Sequence, residues 1–112
     1  MARIEVVRHV AADPASLALL LSGPTGRDLW GDDSVVLSAP TRSGLGFRVD
    51  VAASTPAKAR GRVLIAAGTD GPISSEVTLT FSVVGDVPAM RRAVVKFLDG
   101  LTAAAQARSS AA

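Results

Sequence analysis

The chain has 112 residues, 48% hydrophobic and 20% charged, so it can bury one real core and is not disordered by composition. It has no cysteine, a single histidine (His9) and no asparagine, which excludes disulfides, thiolate chemistry, Cys- or His-rich metal sites and N-glycosylation together. A net charge of +2 is small for a nucleic-acid binder, and the apolar run Leu17–Leu21 is far too short to span a bilayer.

These features read as a soluble, cytoplasmic protein of one domain, 1–112, with a small polar tail over 106–112 that is expected to fray. No membrane insertion, cofactor or metal is expected. Aromatics are only 4% of the chain, so the core rests on Val, Leu, Ile and Ala.

Arg3 to Val10 alternates loosely, with Ile4, Val6 and Val10 on one side, and predicts a first strand. Asp13-Pro14 then supplies an N-cap and a first-turn proline. The helix it opens runs through Leu17, Leu20 and Leu21 to Ser22, where Gly23-Pro24 stops it. Thr25 to Trp30 suits a second short helical turn, anchored by Leu29 and Trp30 and ended at Gly31-Asp32-Asp33.

The period then changes to two. Ser34 to Ala39 reads as a second strand, ended by Pro40, and Gly44-Leu45-Gly46 leads into a third. In that third strand Phe47, Val49, Val51 and Ala53 face one way and Arg48 and Asp50 the other. Lys58 to Ala67 is the fourth, with Ala59, Gly61, Val63 and Ile65 opposite Lys58, Arg60, Arg62 and Leu64. After the Gly68–Pro72 turn, Val77, Leu79, Phe81 and Val83 alternate with Glu76, Thr78, Thr80 and Ser82. One face of this fifth strand is dry and the other wet, as in an antiparallel sheet covered on one side.

Gly85-Asp86 closes it, and Pro88 sits in the first turn of a final helix from Val87 to about Ala105. Met90, Val94, Phe97, Leu101 and Ala104 or Ala105 share one face of that helix, with Arg91, Arg92, Lys96 and Asp99 on the other. At ~1.5 Å rise per residue such a helix is roughly 27 Å long, enough to cross a five-stranded sheet. Gly100 marks either a close approach or a weak point in it. The fold class is therefore α+β: an antiparallel curved sheet of five or more strands on a long C-terminal helix, with one or two short helices after the first strand.

This order resembles the helix-grip superfamily of START-like, birch-allergen-like and polyketide-cyclase-like proteins. "IEVVRHVAADPASLALLLSGP" is similar to the family's opening strand and first helix, and Trp30 stands where members often carry a tryptophan. "GLGFRVDV" is similar to its Gly-x-Gly lead into a central strand, and "AMRRAVVKFLDGLTAAA" to its closing helix. The resemblance implies a sheet wrapped around the last helix, with an apolar cavity for a lipid, polyketide or other hydrophobic molecule. Members usually have six or seven strands. Five would leave the cavity smaller, open on one side, or completed by a second chain in a homodimer.

The ligand-binding candidates that follow are Trp30, Phe47, Val49, Val51, Val63, Ile65, Leu79, Phe81, Met90, Val94 and Phe97. They suit a pocket, since ligand sites are mostly apolar, and they equally suit a close-packed core. Small residues at Ala59 and Gly61 leave room on the sheet, and Trp30 is either a lid or a loop anchor.

No catalytic residue is assigned. His9 and Glu5 share a strand face but stand too far apart for a direct pair, and Asp32-Asp33 and Asp50 have no metal-ligand spacing. Lys58, Arg60, Arg62 and Arg48 form a basic stripe without interleaved aromatics, so no nucleic-acid platform is read, and pairing with Glu76 and Asp50 is the simpler expectation. Gly23, Gly26 and Gly31 lack the Gly-Lys-Ser/Thr of a phosphate loop. The leading functional expectation is non-catalytic binding of a small hydrophobic ligand. The alternatives are a cyclase- or hydrolase-like enzyme and an interaction module that dimerises.

Overall fold

Period-two alternation builds the sheet, and its dry face decides where the helices lie. The computed structural model describes residues 2–22, 29, 35–44, 46–54, 58–68 and 74–110, excepting the side chains of 108–110. Its elements are β1 (Ala2–Val10), α1 (Pro14–Ser22), β2 (Val36–Leu37), β3 (Thr41–Ser43), β4 (Gly46–Ala53), β5 (Lys58–Ala67), β6 (Ser75–Val84) and α2 (Val87–Ser110). All strand pairs are antiparallel, in the order β1-β6-β5-β4-β2, with β3 also pairing with β4.

The sheet has six strands, one more than alternation counts. The second expected strand is cut short at Val36–Leu37, and the chain pairs with β4 again at Thr41–Ser43. Ser38 holds the break: its backbone N–H donates to Asp50 O at 2.9 Å, and its hydroxyl accepts from Asp50 N at 2.8 Å. Pro40 has no N–H to donate, which suits the edge position of this segment. The β3–β4 hairpin turns at Gly44, whose φ of +59° is readily reached by glycine.

Expected facing is observed strand by strand. Val77, Leu79, Phe81 and Val83 are buried on the inner face of β6, as are Val49, Val51 and Ala53 on β4 and Ala59, Val63 and Ile65 on β5. α2 lies over β1 and β6, while α1 lies over β4 and β5 and meets α2. Met90, Val94, Phe97, Leu98, Leu101 and Ala105 form the buried face of α2, which runs on to Ser110, so 106–110 continue the helix where fraying was expected.

Each helix has a built start. In α1 the Asp13 carboxylate accepts from Ser16 N at 3.1 Å and from the Ser16 hydroxyl at 2.6 Å, an N-cap in the expected place. In α2 the Asp86 carboxylate accepts from Ala89 N at 3.0 Å. Ser75, wholly buried, donates its hydroxyl to Ala12 O at 2.6 Å and ties the start of β6 to the β1–α1 turn. Of the expected second helical turn only Leu29 is among the described residues. It is helical, and its Cδ2 lies 2.8 Å from where a Cβ on Gly100 would stand. Gly100 therefore marks a close approach, made to Leu29 rather than to the sheet.

Candidate functional site

The ladder register sets the inner face in rows. One row reads Arg8, Val77, Ile65, Phe47; the next Val6, Leu79, Val63, Val49; the next Ile4, Phe81, Gly61, Val51. The ten described ligand-binding candidates therefore come together, seven from the sheet and three (Met90, Val94, Phe97) from α2. Trp30 lies outside the described residues.

Val49, Val63, Ile65, Leu79, Phe81, Met90, Val94 and Phe97 are each 0–1% accessible and Val51 is 4% accessible. A void wide enough for water would leave accessible surface on its lining, so these side chains touch one another or their neighbours on all sides. Phe47 alone of the described set is half-buried. The room expected at Gly61 is already filled: a Cβ there would stand 2.8 Å from Phe81 Cδ1 and would overlap the Thr80 carbonyl oxygen. Small size at Gly61 thus serves close strand approach and the Phe81 ring, not a guest.

Sequence reasoning passed over Arg8 as an inner-face residue, although it shares the parity of Ile4, Val6 and Val10. Its guanidinium Nη1 donates to Asp99 Oδ1 of α2 at 2.5 Å, with the two side chains 31% and 62% exposed. The pair sits at the rim and fixes α2 to the edge strand. His9 points to the outer face, opposite Glu76. Asp32 and Asp33 are outside the described residues.

The outer face departs from expectation. Asp50 accepts from Arg48 Nε at 3.0 Å along its own strand, and Arg3 meets Glu5 at 3.8 Å along its own. Lys58, Arg60 and Arg62 make no ion pair among the described residues, so the expected cross-strand pairing with Glu76 and Asp50 is absent there. Arg62 stands directly opposite Asp50, but Asp50 takes Arg48 of its own strand instead, and Glu76 lies opposite Ala66, away from the basic row.

Among the described residues there is no cluster of three or more His, Asp or Glu side chains able to hold a metal, and no helix long and apolar enough to cross a membrane. Every buried side-chain polar atom described has a hydrogen-bond partner.

No protein-family profile matches the chain, and no curated protein is similar to it in sequence. Solved structures do match. A protein from Nitrosospira multiformis superposes with a TM-score of 0.67 at 12% identity, covering 97% of this chain and 99% of that one. The Zhui aromatase/cyclase from a Streptomyces species gives 0.57 at 12% identity, covering 96% and 95%. The di-domain ARO/CYC StfQ of the steffimycin biosynthetic pathway gives 0.56 at 16% identity, covering 96% of this chain and 46% of StfQ. The chain thus has the helix-grip fold of the START-like and polyketide-cyclase-like proteins that its sequence resembles.

Proposed function

We propose that this protein binds a small hydrophobic molecule between its sheet and its helices without transforming it. The observation that carries the reading is the inner face itself: its paired positions are apolar except at Arg8 and Ser75, and both of these are already held, Arg8 by Asp99 and Ser75 by the Ala12 carbonyl. A guest there would gain ~25 cal/mol for each Å² of apolar surface removed from water, with little polar contact to orient it. Because the described lining is close-packed, binding requires a helix to give way. α1 is the candidate lid, since it has nine residues, covers β4 and β5, and leaves Phe47 partly accessible.

The test is uptake of the neutral fluorophore N-phenyl-1-naphthylamine, with native mass spectrometry of the purified protein. Saturable fluorescence enhancement, or a co-purified hydrophobic molecule, is expected. No enhancement and no bound species would sink the proposal.

A cyclase-like enzyme is the second reading, favoured by the fold shared with Zhui and StfQ. It needs two ionisable groups converging on a guest. Arg8 with Asp99 is the pair available on the described inner rim. If that pair acts, Asp99→Asn would abolish turnover of an aromatic polyketide mimic while leaving fluorophore uptake intact.

A further inference from the structure

On the outer face, directly paired residues form a row that alternates large and small: Val36, Ala52, Arg60, Ser82, Arg3. Ala52 and Ser82 are short, so the surface dips on either side of Arg60. The dips open into a groove of about 610 Å³ that extends to Val84 and Lys58, and into a hollow of about 380 Å³ that shares Val36, Ala52 and Arg60 with it.

Two unusual features meet in this groove. Val36 and Val84 are 63% and 58% exposed, among the most exposed large hydrophobic side chains described. Scattered exposed apolar residues need no explanation, but two lining one depression make a surface that gains by being covered. Beside them Lys58 and Arg60 lack an ion-pair partner among the described residues, and no described carboxylate lines the larger groove. Asp50 borders only the smaller hollow, and there it already accepts from Arg48 Nε at 3.0 Å.

We infer that this groove is a second binding site, for a soluble anionic amphiphile whose acidic head meets Lys58 and Arg60 and whose apolar tail crosses the dip at Ala52 to Val36, with Val84 beside the head on the other flank. The charge selects the head: a cation is repelled and a neutral group finds no strong partner, whereas a carboxylate gains two charge-assisted hydrogen-bond donors, with Ser82 lining the groove directly opposite Arg60. The volume is in the ~300–1,000 Å³ range of small-molecule sites. The groove is open, so part of the ligand stays in water and binding is weak and salt-sensitive. The site lies on the opposite face of the sheet from the interior ligand proposed above, and the two stand or fall separately.

The test is an NMR titration of the full-length chain with sodium decanoate kept below its micelle concentration, at low salt. The amides of Ala52, Arg60 and Ser82 should shift saturably while those of Leu79 and Val94 stay put. The double substitution Lys58→Gln with Arg60→Gln removes only exposed side chains, so the fold should survive. It should weaken binding about tenfold, as should added salt to a lesser degree. Val36→Ser, at a 63% exposed position, should weaken it several-fold with the charges intact. Four results would each overturn the inference: no saturable shift, shifts confined to Leu79 and Val94, an affinity unchanged in the double variant, or binding to phosphatidylglycerol vesicles without binding to monomeric decanoate.

Discussion

Replacing Gly61 by alanine separates local propensity from tertiary packing, because the two predict opposite signs. Inside a strand, glycine is ordinarily worse than alanine by roughly 0.5–1 kcal/mol, since it loses more backbone freedom on folding. On propensity alone Gly61→Ala should stabilise. In this fold the new Cβ would overlap the Thr80 carbonyl oxygen and stand 2.8 Å from both Cα and Cδ1 of Phe81. The ring could rotate away, but the backbone of β6 cannot yield without parting from β5 in the middle of the sheet. Overpacking costs about 1–3 kcal/mol, and the loss of one or two ladder bonds adds ~1 kcal/mol each. The net expectation is a loss of about 3 kcal/mol, or a fall in Tm of roughly 10–15 °C for a domain of this size. Thermal and urea unfolding followed by far-ultraviolet circular dichroism would measure it. A variant that melts at or above the parent temperature would refute the close approach of the two strands.

Three further outcomes follow from particular contacts. Ser75→Ala leaves the part-buried Ala12 carbonyl without this donor and should cost about 1 kcal/mol in urea unfolding. Phe97→Ala should cost about 3–5 kcal/mol and, by opening a void under α2, should raise uptake of N-phenyl-1-naphthylamine. The hydrogen bond from the Ser16 hydroxyl, helped by backbone N–H donors and opposed by burial, holds the Asp13 carboxyl below its ordinary value of 3.8. Its folded pKa is therefore the lower one, so its contribution is complete above the ordinary carboxylate range and is lost as pH falls through the folded value. Asp13→Ala should be less stable by about 1 kcal/mol near pH 6, and the gap should narrow below pH 4 in a pH series of urea midpoints.

Where a residue pattern has one dry face, it was enough to orient an element. β6 and α2 were legible because Val77 to Val83 and Met90 to Leu101 keep their periods without interruption. β3 was not legible, because Thr41, Arg42 and Ser43 are all exposed and an edge strand without a buried face carries no alternation. Leu98 joins the buried face of α2 as the neighbour of Phe97, since a stripe facing both the sheet and α1 is wider than one row. The candidate site was legible as a face but not as a space. Periodicity says that Val49 and Leu79 point inward, and it is silent on whether anything separates them from Val94. The outer groove was hidden for another reason: it depends on Val36, Ala52, Arg60 and Ser82 coming into one row, and register between four strands is not written in any one of them.

The pairing of β1 with β6 sets Ala2 opposite Val83 and Val10 opposite Ser75, so β1 joins the sheet through the described strand farthest from it in sequence. β4, β5 and β6 close by successive local hairpins, whereas β1 must wait for most of the chain. At ~5–20 residues per second of synthesis, that delay is roughly 4–16 s. Throughout it Ile4, Val6 and Val10 have no ladder to enter. A fold dominated by such distant pairings assembles slowly, on the millisecond-to-second scale. For β1 alone, the order of assembly departs from the order of manufacture.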